Sequence, residues 1–301
     1  MSKLKAYLLE LRAPFLTVSI LPVAVGTAAA FYRNRNVEWL DFILVLATFV
    51  FLHLGANVWN DYWDDRNGTD RVNGEFVFPF TGGSRLLQQG LLRPGEVWGL
   101  GAVMYAAALI TGGMLAARHG YGLWAVWLAG MLSGAFYTAP PFKWVHKGWG
   151  EFLVGFSFGP LPVATAYFIQ TGRLDPWLLL LSLPLGFLAA AILFINQFPD
   201  YRADKASGKH HWVVRLGRAN ARWLFFGLLA AAYAALAFLP ATGAGLRLLW
   251  MAFIGLPLAV LALKVLWANH SDSSKLAPAC ISTIALHLVT TLALCGVLIF
   301  S

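Results

Sequence analysis

Nine long apolar runs, each closed by a short polar stretch, succeed one another along the 301 residues. They cover roughly 14–31, 39–59, 96–117, 123–139, 152–169, 176–198, 223–239, 248–268 and 276–300. None shows the period-two alternation of a strand, and runs of about 20 apolar residues read as membrane helices. The expected fold class is therefore all-α. It is a polytopic membrane protein of about nine transmembrane helices in a bundle, capped by loops on one side, with 1–301 forming one transmembrane domain. Lys3, Lys5 and Arg12 precede the first run, and no small-residue cleavage site stands out after it. That run reads as a retained helix rather than a signal peptide.

The polar connections add a direction. With the N-terminus in the cytoplasm, 17 of the 22 Lys and Arg fall on the inner side, and only Arg33, Arg35, Arg118, Arg173 and Arg247 fall outside. Cationic loops stay inside, so the expected protein is a multi-pass protein of the cell's inner (plasma) membrane with its N-terminus in and C-terminus out. The three longest connections, 61–94, 140–151 and 199–222, then share the cytoplasmic side, where they would form the cap. Composition agrees, since 59% of residues are hydrophobic, mean hydropathy is +0.65 and only 12% are charged. The net charge of +8 is spread between the apolar runs, a topology signal that argues against nucleic acid as partner. Cys280 and Cys295 share the last run, where a helix would hold them about 22 Å apart, too far to bridge.

Candidate chemistry gathers in two stretches. Residues 57–70 read NVWNDYWDDRNGTD, which packs Asp61, Asp64, Asp65 and Asp70 into an otherwise oily chain. Asn57, Asp61 and Asp65 recur every four residues, a spacing that puts oxygen ligands on one side of a helix. Residues 196–205 read NQFPDYRADK, and Asn196, Asp200 and Asp204 repeat the spacing. Each stretch follows a long apolar run. Carboxylates clustered there repel one another, and a hard divalent cation shared with phosphate oxygens would relieve this. Two facing clusters suggest a diphosphate held through bridging Mg²⁺. The plain alternative is a solvated acidic loop capping a helix. His53 and His287 lie within apolar runs and read as hydrogen-bonded packing residues.

The pair of aspartate-rich stretches resembles that of the UbiA family of intramembrane prenyltransferases. More narrowly, 60–70 followed by Thr81-Gly-Gly-Ser-Arg85 resembles the branch that prenylates 1,4-dihydroxy-2-naphthoate in menaquinone synthesis. Arg12-Ala-Pro14, Tyr137-Thr-Ala-Pro-Pro-Phe-Lys143, Gly148-Trp-Gly-Glu151, Phe158-Gly-Pro160, Asp204-Lys-Ala-Ser-Gly208-Lys209 and Val214-Arg-Leu-Gly217 occur in the order that branch has. Two departures stand out. The wider family often has its last aspartate of the first motif where this chain has Gly68, and here the acid is Asp70, as in the naphthoate branch. After Lys209 that branch usually has Arg or Lys then Thr, whereas this chain has His210-His211.

The resemblance implies transfer of a polyprenyl group from polyprenyl diphosphate to an aromatic acceptor at the lipid bilayer. It implies Asp61, Asp64, Asp70, Asp200 and Asp204 as catalytic Mg²⁺ ligands. Asn57, Asn60 and Asn196 stand beside them, and Asp65 is expected to be a surface acid paired with Arg66. Lys143, Lys147, Lys205 and Lys209 are candidates for the diphosphate, or ordinary positive-inside residues. Arg85, after two glycines that let backbone N–H groups approach an anion, would hold phosphate or the acceptor's carboxylate. Arg12 would do either, or set topology. Tyr62, Tyr137 and Phe158 could shield an allylic cation. His210 and His211 either approach the diphosphate or lie at the surface touching nothing. Other readings are a UbiA-type enzyme with another acceptor (4-hydroxybenzoate, homogentisate, haem or a glycerol phosphate lipid) and, from a different class, an ion-coupled transporter.

Overall fold

The computed structural model describes residues 2–243 and 245–301, and of Pro14 the backbone only. Among these residues there is no strand. The helices are α1 (Lys3–Glu10), α2 (Thr17–Asn34), α3 (Trp39–Arg66), α4 (Thr69–Val72), α5 (Pro94–His119) and α6 (Leu123–Ala135). They continue as α7 (Gly150–Phe158), α8 (Pro160–Thr171), α9 (Trp177–Ala206), α10 (Trp212–Phe238), α11 (Leu256–Asn269) and α12 (Ala277–Phe300). Short 3₁₀ turns fill several of the joints.

The apolar runs are all helical, and of the nine expected spans seven have the length and apolarity of a crossing helix, so the count of nine is high by that measure. Among the described residues, seven helices are long and apolar enough to cross a membrane. These are α3, α5, α7 with α8, α9, α10 with the turn that follows it, α11 with the turn before it, and α12. The two that fall short have plain reasons. The 18 residues of α2 include Arg33 and Asn34 in the last turn, which lowers its apolarity. The 13 residues of α6 make a helix of about 20 Å, well under the roughly 30 Å of hydrocarbon. The chain is a multi-pass membrane protein.

Helix length explains where the acidic stretches stand. The 28 residues of α3 and 30 of α9 reach about 42 and 45 Å, so each outlasts the hydrocarbon by two turns or more. The surplus turns carry Asp61 and Asp64 on α3 and Asp200 and Asp204 on α9. Between α7 and α8 the chain breaks at Gly159, which lies against Gly186 of α9. A Cβ on Gly159 would stand 2.5 Å from Gly186 backbone atoms, so only glycine lets these helices close. That contact brings the start of α7 alongside the end of α9. The buried core beneath joins α2, α8, α9 and α12 through Val25, Ala29, Tyr167, Leu181, Leu185 and Leu294. Exposed apolar side chains such as Ile43, Val103, Ile110 and Phe226 face outward, as a lipid-facing surface requires.

Candidate active site

A cavity of about 280 Å³ opens at the end of the bundle where α3 and α9 emerge. Asp64, Asp70, Asp200 and Asp204 line its mouth together with Lys209 and His211. Deeper, Phe49, Leu52, Phe158, Leu161, Ile192 and Leu193 make an apolar wall. The two acidic stretches thus meet across one opening, although about 140 residues separate them.

Lys209 joins the two stretches. The helix α9 ends at Ala206, and Gly208, with φ +75°, turns the chain so that Lys209 folds back into the opening. Its ammonium donates to Asp64 Oδ2 at 2.9 Å and stands 3.4 Å from Asp204 Oδ1. Burial works against this charge, but Asp204, Asp64 and Asp70 outweigh it and push the lysine above its ordinary value. On the other side of Asp204, His211 Nε2 donates to Oδ2 at 2.9 Å. His211 is 1% exposed, so the expectation of two idle surface histidines is corrected for it. His210 is exposed, and its main chain bonds to His146 and Arg215.

The loop between α4 and α5 closes the first acidic stretch. Ser84 N–H donates to Asp61 Oδ2 at 2.7 Å, and Arg12 Nη1 reaches Asp61 Oδ1 at 3.4 Å. Gly83 lies against Asp61 and Asp70, with room for no side chain; a Cβ there would stand 2.9 Å from Asp70 Oδ2. Burial, then Asp64 and Asp61, push the Asp70 carboxyl up to about 9. Asn73 Nδ2 donates to Asp200 Oδ1 at 2.7 Å, linking this loop to the second stretch. Glu75 ties the loop down through Arg202, Arg218 and Ser273.

The other expected residues fall in several places. Asn57, Asn60, Tyr137, Asn196 and Arg12 line the cavity. Asn60 also donates to Thr138 Oγ1 at 3.4 Å. Asp61 is buried one layer behind the lining. Arg85 bonds the main-chain oxygen of Asp70 and lies 4.6 Å over the Phe76 ring, outside the lining. Lys143 donates to Asn67 Oδ1 at 3.1 Å and lies outside the lining. Lys147 and Lys205 are exposed, and the Lys205 ammonium sits 5.9 Å over Tyr201. Asp65 is not paired with Arg66 at the surface. It is buried, and Arg71 binds both its oxygens at 3.0 and 2.9 Å, because α4 folds Arg71 back over the end of α3. Arg66 instead donates to Tyr62. His53 hydrogen-bonds Ser19, as a packing histidine would, and also lines the cavity. His287 is buried in α12, away from the opening.

Sequence reasoning passed over Glu10 and Asn73, and took Thr81 and Ser84 only as parts of the stretch 81–85, with no role of their own. None belongs to a spaced acidic pattern. For Glu10 the one signal was its place just before Arg12.

The carboxylates and amides at the opening offer oxygen ligands, which suit Mg²⁺ over softer ions. Asp64 Oδ1 and Asn196 Oδ1 are buried without a protein partner. Among the described residues no three carboxylates or imidazoles converge on one point.

The profile of the UbiA prenyltransferase family matches residues 19–291. The 1,4-dihydroxy-2-naphthoate octaprenyltransferase of Bacillus subtilis is 28% identical over 83% of this chain and 78% of its own length. That of Haemophilus influenzae is 30% identical over 80% of this chain and 79% of its own. A UbiA homolog from Aeropyrum pernix superposes with a TM-score of 0.69 at 19% identity, over 94% of this chain and 97% of that one. A UbiA homolog from Archaeoglobus fulgidus, solved bound to GPP and Mg²⁺, gives 0.64 at 21% identity over 98% and 100%. Sequence match over most of the length and a shared fold agree with the two facing acidic stretches: the chain belongs to the UbiA prenyltransferase family.

Proposed function

We propose that the chain, acting over 1–301 as one transmembrane unit, transfers a polyprenyl group from polyprenyl diphosphate to 1,4-dihydroxy-2-naphthoate, with Mg²⁺ as cofactor. The observation that carries this reading is the meeting of two distant acidic stretches around Lys209 at the mouth of an apolar cavity. The naphthoate prenyltransferases among its relatives support the choice of acceptor. The mouth faces the cytoplasm in this reading, as the lysine and arginine bias favours.

An allylic diphosphate ionises only if the charge growing on the leaving group is met. Mg²⁺, when bound, supplies that charge as a Lewis acid. Asp64 and Asp70 from one side and Asp200 and Asp204 from the other would hold bridging Mg²⁺ ions, with Asp61 behind them setting the loop through Ser84. Lys209 turns from the carboxylates toward phosphate oxygens, and Arg12 and Lys143 add positive charge at the rim. Asn57 Nδ2, free of a protein partner, would donate to the anion, and the free Asn196 Oδ1 would face the cation. The apolar wall takes the prenyl chain and keeps water from the allylic cation.

Membranes containing the protein, supplied with Mg²⁺, polyprenyl diphosphate and dihydroxynaphthoate, should yield prenylated product. EDTA should abolish the yield. Asp200→Asn should reduce kcat by about 100-fold or more, the scale of losing one group that meets transition-state charge. A wild type that prenylates 4-hydroxybenzoate but not the naphthoate would overturn the acceptor. Full activity in Asp200→Asn would remove the second stretch from the chemistry.

A further inference from the structure

The first helix, α1, turns three leucines outward. Leu4, Leu8 and Leu9 are 69%, 58% and 48% exposed, and the exposed Lys5 lies among them. At about 100° per residue, the four share an arc of about 140°. Single apolar side chains are ordinary on any surface, but three on one arc of an eight-residue helix make a patch. The opposite face is packed. Ala6 is buried in a cluster with Val58 of α3, Val97 of α5, and Leu86 and Leu92 of the connection between those helices. Tyr7, Leu11 and Leu100 pack against that cluster. At one end of α1, Lys3 Nζ binds the Glu96 carboxylate of α5 at 2.8 Å. At the other, the Glu10 carboxylate accepts from Ser84 Oγ at 2.6 Å.

These contacts fix the depth of α1. Val58 lies inside the apolar run 39–59, and Val97 and Leu100 lie inside the run 96–117. All three stand near the ends of α3 and α5 where the cavity opens. A helix packed there lies at the edge of the hydrocarbon, so a face turned away from the bundle at that depth meets lipid. Trp98, in the first turns of α5, is exposed and stacks on Trp59 with ring centres 5.8 Å apart. It marks the same level, since tryptophans gather at the membrane–water boundary. A helix with leucines on one side and lysines beside them suits that boundary, where its apolar face would sink by about 5–10 Å.

We propose that α1 is an interfacial helix whose partner is the lipid leaflet on the side of the opening. Leu4, Leu8 and Leu9 sit among the first acyl carbons, and Lys5 reaches back to the phosphates. The patch continues the lipid-facing surface of the bundle, and its lysine matches anionic headgroups. Arg12, two residues past α1, lines the cavity, so the leaflet that seats α1 also sets the height of the opening.

The full chain, with Cys280 and Cys295 replaced by alanine, is placed in vesicles of phosphatidylcholine and phosphatidylglycerol. Leu4→Cys and Leu8→Cys each carry the polarity-sensitive dye NBD. Lys205→Cys, on the exposed end of α9, carries it as the reference in water. The dye at Leu4 and Leu8 should emit to the blue of the reference. Lipids bearing a nitroxide near the top of the acyl chain should quench about half or more of that emission, as a depth of about 5–10 Å requires, and little of the reference. A water-soluble nitroxide on both sides of the vesicle should do the reverse. Quenching from water alone would leave the face in solvent. A blue-shifted dye quenched from neither phase would put a second copy or a soluble protein on the face. Either result overturns the proposal.

Discussion

Glu10 is fully buried, and burial together with nearby Asp61 pushes its carboxyl up to about 8, against the pull of Ser84 and Arg12. In the unfolded chain it would titrate near 4.5. A raised carboxyl binds its proton more tightly when folded. Its stabilising effect is therefore complete below about pH 4.5 and lost as pH rises through about 8. Glu10→Gln, which can keep the bond to Ser84, should match wild type in thermal midpoint near pH 5. At pH 9, in detergent with EDTA, it should exceed wild type by several degrees. Equal midpoints at both values would mean that Glu10 ionises at no cost. Only its place before Arg12 marked Glu10 in the sequence, because its burial depends on α1 folding back over the loop that carries Ser84. Lys205 and Lys209 teach the same lesson. Both follow Asp204 in one stretch, but one stays on the exposed face of α9 and the other lies past the turn at Gly208. Asp65 finds Arg71 rather than Arg66 because a break at Asn67 and Gly68 reverses the chain.

Between residue and molecule, the loop from Asn73 to Ser84 is the element that completes the opening. Two of its contacts cross to distant carboxylates, Asn73 to Asp200 and Ser84 to Asp61. Gly83 has φ +72°, and its missing side chain lets the backbone reach two aspartates at once. Gly83→Ala should therefore lower kcat about tenfold or more and raise the Mg²⁺ concentration needed for half activity. Gly90, in the same connection with φ +68°, has open space around it. Gly90→Ala should bear only the backbone strain, about 1 kcal/mol, and keep its activity. Similar losses of activity in both variants would show that conformation, not the approach to the aspartates, is what matters at Gly83. The helices and the two acidic stretches were legible because each is a local pattern of apolar length or four-residue spacing. The pairing of Asp64 with Lys209, set by how α3 and α9 pack, was not.

At the scale of the whole molecule, the sequence carried the all-helical class but counted nine spans where seven helices have the length and apolarity to cross. The other two are α6 and α2, which miss that measure through a length of 13 residues and a polar last turn respectively. With the N-terminus inside, Lys147 faces the cytoplasm and Arg173, at the opposite end of the bundle, faces out. In a background with Cys280 and Cys295 replaced by alanine, an impermeant maleimide should label Arg173→Cys on intact cells. Lys147→Cys should react only after lysis, and the reverse order would invert the topology. One feature of the opening governs how the finished molecule is loaded. The Lys209 ammonium already occupies the gap between Asp64 and Asp204. A cation entering alone must evict a charge that is well satisfied, and an anion entering alone meets the carboxylates. Arriving together, the cation takes the carboxylates and the anion receives the displaced ammonium. Occupancy is thereby a joint event, with positive cooperativity between the two loads written into the position of a single lysine.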